Sequence, residues 1–494
     1  MIWYILFTIF IVFIFHQCYW RRRNYPPGPF PWPIIGNILM INPNLFDQQL
    51  LKLKKQYGKV ITIWLPVPMI VISDAQVLKD TMIKQGDKFA GRPHSNLMVE
   101  FIGGNYGLIF SDNSFWREQK RFALKVLRDF GFGKPILEQT IIDQAQAVCD
   151  RLKAMNEEPV DLTKLLTIAV GNVIFQLSFN KTEDFDDDLV FNFRNEMLEI
   201  AAIFCHPFAF LLELFPKLKF LDPLFGGVYQ RALNLNNNVM NMMREHISEH
   251  RKTINYDEEP QDYIDAFLIE QKKQNPEMKL HGEWSDLQLL GAIYDLFGAG
   301  METTSTSIRT FILYMVRNPD IQKQCHEEID KIIGRDRTIT MADQINLSYI
   351  SACIHELQRI AIILTLNLPH ITTEDAEIDG YFIPKGTQVI PQFQSVHLDS
   401  DIFSEPEKFD PTRFLDSDGK FRKDDRVTPF SLGKRACLGE SLARMELFLF
   451  CATFLQHFEF LPEEDNIIPP LDYQFGVLKA PLPFKVRACR KLFI

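Results

Sequence analysis

The chain opens on a hydrophobic run, Ile2 to Trp20, broken only weakly by Thr8, His16 and Gln17 and followed at once by Arg21-Arg22-Arg23. At 1.5 Å per residue in a helix it reaches roughly 28 Å, about one hydrocarbon core. A cleaved signal peptide carries its basic residues ahead of the apolar run and small residues behind it. Here the charge follows, and Cys18-Tyr19-Trp20 is bulky. Residues 1–23 therefore read as an uncleaved signal anchor and basic stop, with the arginines and all that follows on the cytosolic side. Tyr25-Pro26-Pro27-Gly28-Pro29-Phe30-Pro31-Trp32-Pro33 cannot continue a helix, so residues 24–36 read as a stiff, extended proline-rich hinge.

Beyond the hinge, Lys59–Leu65 and Met69–Ser73 are rich in β-branched residues and predict a short hairpin; Asp74 suits the cap of the next helix and Gly86 its end. Helical periodicity then dominates. Ser285 or Asp286 begins an apolar helix that persists to Arg317, roughly 32 residues and about 48 Å long. Asn318 and Pro319 suit the cap and first position of a helix ending near Gly334. Ser348–Ile360 and Glu440–Phe454 predict two more, while Pro369–Phe414 is turn-rich with strand pieces such as Tyr381–Thr387. The expected fold is mainly α with small β-sheets. No linker or repeat interrupts residues 37–494, which read as one catalytic domain.

A net charge of −10 argues against a nucleic-acid partner, which needs a basic surface. The eight cysteines stand at 18, 149, 205, 325, 353, 437, 451 and 489 with no Cys-x-x-Cys pair, so neither a zinc site nor a disulfide framework is suggested. Such usage fits the reducing cytosolic side of a cell.

One cysteine differs from the rest. Phe430-Ser431-Leu432-Gly433-Lys434-Arg435-Ala436-Cys437-Leu438-Gly439 places Cys437 between two glycines, two residues after an arginine and directly before an apolar helix. A lone cysteine is most often a buried thiol. A thiolate here would feel the positive end of the helix dipole, Gly433 and Gly439 would admit a flat macrocycle or a turning backbone, and Arg435 would meet a carboxylate such as a heme propionate. The stretch resembles the heme-ligand loop of the cytochrome P-450 superfamily, Phe-x-x-Gly-x-Arg-x-Cys-x-Gly, at each fixed position. Ala299-Gly300-Met301-Glu302-Thr303-Thr304 resembles the family's Ala-Gly-x-Glu/Asp-Thr-Thr segment. Glu356 and Arg359 resemble its Glu-x-x-Arg pair, and Phe409-Asp410-Pro411-Thr412-Arg413-Phe414 the segment that completes that network. The Pro-Pro-Gly-Pro hinge, Asp295-Leu296-Phe297-Gly298-Ala299-Gly300 and Pro429-Phe430-Ser431 resemble the microsomal drug- and lipid-metabolising group of animals.

The resemblance implies the P-450 fold, one large heme domain behind a transmembrane anchor in the endoplasmic reticulum. It implies a monooxygenase that inserts one atom of O2 into a lipophilic xenobiotic, fatty acid or steroid, with electrons from NADPH through a separate flavoprotein reductase. Cys437 would be the axial ligand of the iron of heme b, and Arg92, Trp116, Lys120, His370 and Arg435 would hold its propionates. Lys120 stands where the family usually has arginine, keeping the charge but losing the bidentate fork. Thr303 would hold oxygen and its water, and Glu302 would supply protons; glycine and hydroxyl residues there also invite water into a local kink. Glu356, Arg359 and Arg413 would be a structural lock. Ile109, Phe110, Ala299, Leu364, Asn367, Leu368 and Val477 would line the substrate pocket, although Leu364-Thr365-Leu366 lacks the proline often found there. Arg117, Lys120, Arg121, Lys125, Arg128 and Lys134 form a basic patch suited to an acidic electron donor. Two rivals carry other expectations: an oxygen-independent heme-thiolate isomerase or dehydratase of oxygenated lipids, which would turn over without NADPH, and a non-catalytic membrane-tethered heme or lipid binder, which would not need Thr303.

Overall fold

The computed structural model describes residues 1–42, 45–65, 67–130, 135–277, 281–474 and 478–491. Helices dominate: α1 (Ile2–Cys18), α2 (Phe46–Tyr57), α3 (Ala75–Lys79), α4 (Asn96–Ile102), α5 (Asn113–Phe130), α6 (Pro135–Ala154), α7 (Thr163–Phe179), α8 (Leu189–Phe204), α9 (Pro207–Leu214), α10 (Val228–Thr253), α11 (Tyr263–Gln274), α12 (Asp286–Arg317), α13 (Pro319–Ile332), α14 (Ser348–Ile360), α15 (Gln394–His397) and α16 (Glu440–His457). The strands are short: β1 (Val60–Leu65), β2 (Val67–Ile72), β3 (His370–Ile371), β4 (Ala376–Ile378), β5 (Tyr381–Ile383), β6 (Gln388–Pro391), β7 (Phe458–Pro462), β8 (Tyr473–Gln474), β9 (Ala480–Pro481) and β10 (Val486–Arg490). The fold is mainly α with small sheets, as the hydrophobic pattern predicts. Contacts group the chain into two units: Met1–Pro93 with Leu364–Glu407 and Asp425–Cys437, and His94–Ile363 with Lys408–Asp424 and Leu438–Ile494.

The first unit is built on a four-stranded sheet ordered β1-β2-β6-β3, with the predicted hairpin, β1 antiparallel to β2, at one edge. Alternation along its strands feeds two cores. Val60, Ile70, Ile72 and Val389 pack with Val77, Leu78, Met82 and Phe89, while Ile61, Ile63, Met69, Val71 and Ile390 pack on Phe46, Leu50 and Leu53 of α2. Burying each such side chain contributes about 1.5–3 kcal/mol. Asp74 caps α3 as expected, accepting from the backbone N–H groups of Gln76 and Val77. No residue of α1 is buried, and Ile2–Arg22 is long and apolar enough to cross a membrane. The Arg21 guanidinium lies 4.1 Å from the ring centroid of Trp64. The proline-rich segment is docked on the sheet rather than serving as a spacer. Pro27 and Pro26 accept from the backbone N–H (2.9 Å) and hydroxyl (2.8 Å) of Thr62, and a Cβ on Gly28 would lie 2.0 Å from the Thr62 carbonyl oxygen.

The second unit is organised around α12, which is buried along most of its length, as suits a core helix. Ser285 caps it by accepting from the Gln288 N–H. Phe297 stacks within an aromatic cluster, its ring 5.0 Å from Phe175, 5.1 Å from Phe179 and 5.5 Å from Phe193. The chain is α-helical at every residue from Asp286 to Arg317, including Gly298-Ala299-Gly300, where a local kink was expected. Pro319 begins α13, but the Asn318 side chain does not cap it. Its amide instead donates to the Tyr314 carbonyl (2.8 Å), turning back on the last turn of α12.

Candidate active site

The cysteine loop belongs to the first unit, and its shape is set by backbone packing. Gly433 has φ +76°, and a Cβ there would lie 1.8 Å from the Met82 carbonyl oxygen, so glycine is required for both reasons. Gly439 is different: nothing stands within 4 Å of an added Cβ and its φ is negative, so close protein packing does not explain it. Gly433–Arg435 form a single 3-10 turn, the Cys437 N–H donates to the Phe430 carbonyl (2.8 Å), and the Cys437 thiol is exposed at the end of the loop.

Three buried nitrogen groups gather in the same unit. Arg435 donates through Nε to the Ala90 carbonyl (2.7 Å). Arg92 donates through Nη1 to the carbonyls of Pro369 (2.8 Å) and Leu368 (3.3 Å), and burial pulls its guanidinium down to about 10. His370 donates through Nδ1 to the Phe89 carbonyl (2.7 Å). Burial first, then the nearby cations Arg92 and Arg435, pushes its imidazole down to about 3. The imidazole is therefore neutral at pH 7, with Nδ1 as its protonated nitrogen. Two guanidinium groups kept buried near one another carry a cost that an anion between them offsets.

The remaining residues assigned from the sequence lie in the second unit or continue the first. Trp116 is buried on α5, with the Lys120 ammonium 5.2 Å from its ring centroid. On α12 the Thr303 hydroxyl donates to the Ala299 carbonyl (2.7 Å), the back-bond open to any helical threonine. Donating there leaves the oxygen lone pairs able to accept. Ala299 itself is exposed although most of α12 is buried. The Glu302 carboxylate is buried and held by a fork from Arg194 of α8, Nε at 2.6 Å and Nη2 at 2.8 Å, with Thr306 donating a third bond (2.9 Å). Glu302 is thus a tied carboxylate rather than a solvated acid. Arg194 was not legible in the sequence, because nothing in its amphipathic helix marks it.

Asp295 opens the Asp295-Leu296-Phe297-Gly298-Ala299-Gly300 segment of α12. It is buried two turns before Thr303, and one oxygen accepts the backbone N–H groups of Leu108 (2.6 Å) and Ile109 (2.8 Å). It thereby fixes the backbone entering Ile109-Phe110. Burial outweighs those two bonds and raises its carboxyl to about 7. Gly107 is the other requirement of this loop: at φ +94°, a Cβ would stand 2.3 Å from the Asp295 carboxylate. A charge inside the apolar stretch Leu289–Met301 of α12 was the available signal.

Glu356, Arg359 and Arg413, expected to act as a lock, lie together. Arg359 is fully buried and forks onto Glu356 with Nε at 2.6 Å and Nη2 at 2.8 Å. The Asp410 N–H donates to the same carboxylate (2.9 Å), and Arg413 Nε lies 3.5 Å from it. Of the pocket residues, Ile109, Phe110 and Ala299 are in the second unit and Leu364, Asn367 and Leu368 in the first. Asn367 adopts φ +55° and its side chain accepts the Leu368 N–H (2.7 Å), the local turn of a stretch without proline. Val477 and Lys134 lie outside the described residues.

The cytochrome P450 family model matches residues 26–488. A probable cytochrome P450 CYP36A1 of Caenorhabditis elegans is 41% identical over 473 residues, covering 95% of this chain and 96% of that protein. Cytochrome P450 2C23 of Rattus norvegicus is 38% identical over 475 residues (94% and 93%), and cytochrome P450 2D3 of the same species 36% over 500 residues (98% and 97%). The chain belongs to the cytochrome P450 family. As a cytochrome P450 it is an oxidoreductase, a heme-thiolate monooxygenase whose cofactor is heme b. The first unit fits that group: it offers an exposed thiol on a glycine-shaped loop, and two buried guanidiniums with a neutral imidazole for anionic propionates.

Proposed function

We propose that this P450 inserts one oxygen atom from O2 into a lipophilic small molecule, a xenobiotic, fatty acid or steroid. It draws electrons from NADPH through a separate flavoprotein reductase, and sits in the endoplasmic reticulum membrane with its catalytic domain on the cytosolic face. The observation that carries this reading is the exposed Cys437 thiol at the end of a loop fixed by Gly433 against Met82, in the unit that gathers Arg92, His370 and Arg435.

Heme, when bound, supplies the reduction of dioxygen and the transfer of the oxygen atom. The chain supplies the rest. Cys437 would give the thiolate to the iron, the ligation by which this family favours O–O cleavage. Arg92, His370 and Arg435 would take the propionates, a role the resemblance also gives to Trp116 and Lys120. Thr303, its proton donated to Ala299, accepts a hydrogen bond from a water and holds it in place. Glu302 can relay a proton only once its carboxylate leaves the Arg194 fork and takes one from water before passing it on, so Arg194 sets when that group is free. The residues that the resemblance gives to substrate, Ile109, Phe110, Ala299, Leu364 and Leu368, are apolar and Asn367 is the polar exception, which favours hydrophobic molecules with loose selectivity.

The test is a ligand titration of the ferric holoenzyme with fatty acids, steroids and aromatic xenobiotics, followed by turnover with the class that binds. A saturable low-to-high-spin shift and product formation that requires NADPH, reductase and O2 are expected. Product formed at full rate without NADPH would overturn the reading in favour of an isomerase or dehydratase, and binding without any product in favour of a non-catalytic binder.

A further inference from the structure

Three cysteines that the heme chemistry does not use lie on helices that pack together in the second unit: Cys325 on α13, Cys353 on α14 and Cys451 on α16, each with no exposed surface. Cys325 and Cys353 are neighbours, their sulfurs 3.6 Å apart although 28 residues separate them in sequence. Buried cysteines ordinarily behave as small hydrophobes, but two sulfurs in contact have a chemistry that one does not.

We propose that Cys325 and Cys353 form a dithiol capture site for small trivalent arsenicals, a ligand class unrelated to the heme substrate. The distance is the first argument. A central atom bonded to two sulfurs at about 2.3 Å, the length of a zinc–thiolate bond, with an angle near 100° spans about 3.5 Å between them. A disulfide instead needs about 2.05 Å, so the two sulfurs would have to close by roughly another 1.5 Å within a packed core. The ligand count is the second. Among the described residues no other His, Cys, Asp or Glu ligand atom lies within 4.8 Å of both sulfurs, so a four-coordinate zinc is not provided for. The protonation state is the third. Burial holds the Cys353 thiol well above its ordinary value, with Cys325 beside it acting in the same direction. Oxidation and divalent-metal binding both require thiolates. A trivalent arsenical takes neutral thiols: CH3As(OH)2 + 2 RSH gives CH3As(SR)2 + 2 H2O. Two As–O and two S–H bonds break, two As–S bonds form, and each thiol proton leaves in a water molecule. Nothing is oxidised and no net charge is created in the dry interior, so the large cost of burying an ion does not arise. The uncharged reagent reaches the pair through local opening of α13 and α14.

The experiment uses the full-length holoenzyme incubated with methylarsonous acid and then washed with excess glutathione, which strips arsenic held by one thiol. Intact-protein and peptide mass spectrometry should find one methylarsenic per chain bridging the Cys325 and Cys353 peptides, removed by a small dithiol such as 2,3-dimercaptopropanol. Cys325→Ala and Cys353→Ala should retain at least about tenfold less, because the second bond no longer benefits from a tethered partner thiol. Both should keep heme and turnover, and Cys325→Val and Cys353→Val serve if alanine leaves too large a void. Wild-type protein that retains no arsenic after the glutathione wash would overturn the proposal. So would variants at Cys353 that retain as much as the wild type.

Discussion

Asp295 and Glu446 are both buried carboxyls on helices of the second unit, and they lead to different expectations. Asp295 accepts two backbone N–H groups, and leaving both buried without an acceptor costs about 1–3 kcal/mol each. Asp295→Ala should therefore lower the thermal midpoint and weaken ligand binding in the spin-shift titration, with Asp295→Asn milder because one acceptor oxygen remains. Glu446 on α16 has no partner at Oε1, and burial raises it to about 8 against a smaller opposing pull from the Thr304 hydroxyl. The native state thus keeps a proton that the unfolded chain releases near pH 4.5. Stability from this group is complete below that pH and is lost as pH rises through about 8, by about 1.4 kcal/mol per pH unit. The histidines His326, His355 and His370 are lowered by burial and act in the opposite sense below pH 6.5. The clean window lies between about 7, above which Asp295 is ionised in the native state too, and about 8. There the wild type should lose stability with rising pH more steeply than Glu446→Gln, and parallel curves would refute the buried proton.

Among the elements, α14 carries the heaviest electrostatic load. Glu356 and Arg359 are both fully buried, so removing one partner strands the other charge in the core. Arg359→Leu should cost about 3–5 kcal/mol, seen as poor recovery of heme-loaded protein at 37 °C and a sharp fall in thermal midpoint. Recovery equal to wild type would mean that the lock is dispensable. The long elements were legible in the sequence because their signals are local: Ser285 before α12, Pro319 after it, and an apolar stripe throughout. The hairpin and α14 were legible for the same reason. What escaped were partners distant in sequence. Arg194 meets Glu302 across 108 residues, and Asp295 meets Leu108 across 187; no periodicity marks either pairing. The docked proline segment escaped too, since extended chain looks alike whether it is free or bound to Thr62.

At the scale of the molecule, a chain of net charge −10 presents Arg117, Arg121, Lys125 and Arg128 along one exposed stripe of α5, whose other face buries Trp116, Gln119, Ala123, Val126 and Leu127. Spacings of three and four residues align such a stripe. If it steers an acidic electron donor, Lys125→Glu with Arg128→Glu should lower reductase-supported turnover and flatten its dependence on salt, while leaving the ligand spin shift unchanged. Unaltered turnover and salt dependence would exclude this face as the docking surface. The cysteine ligand was the most legible feature of all, because Gly433, Arg435 and Cys437 stand within five residues and the sequence carries their spacing directly. The nitrogen groups that accompany them, the Arg92 guanidinium and the neutral His370 imidazole, come from distant parts of the chain and could be named only by resemblance.

The most direct measurement is the absorption spectrum of the reduced, carbon monoxide-bound protein, recorded for wild type and for Cys437→His alongside turnover. The wild type should give the band of a thiolate-ligated heme. Cys437→His should bind heme without that band and lose monooxygenation. A thiolate band and undiminished turnover in Cys437→His would contradict the assignment of Cys437 as the ligand and the function built on it.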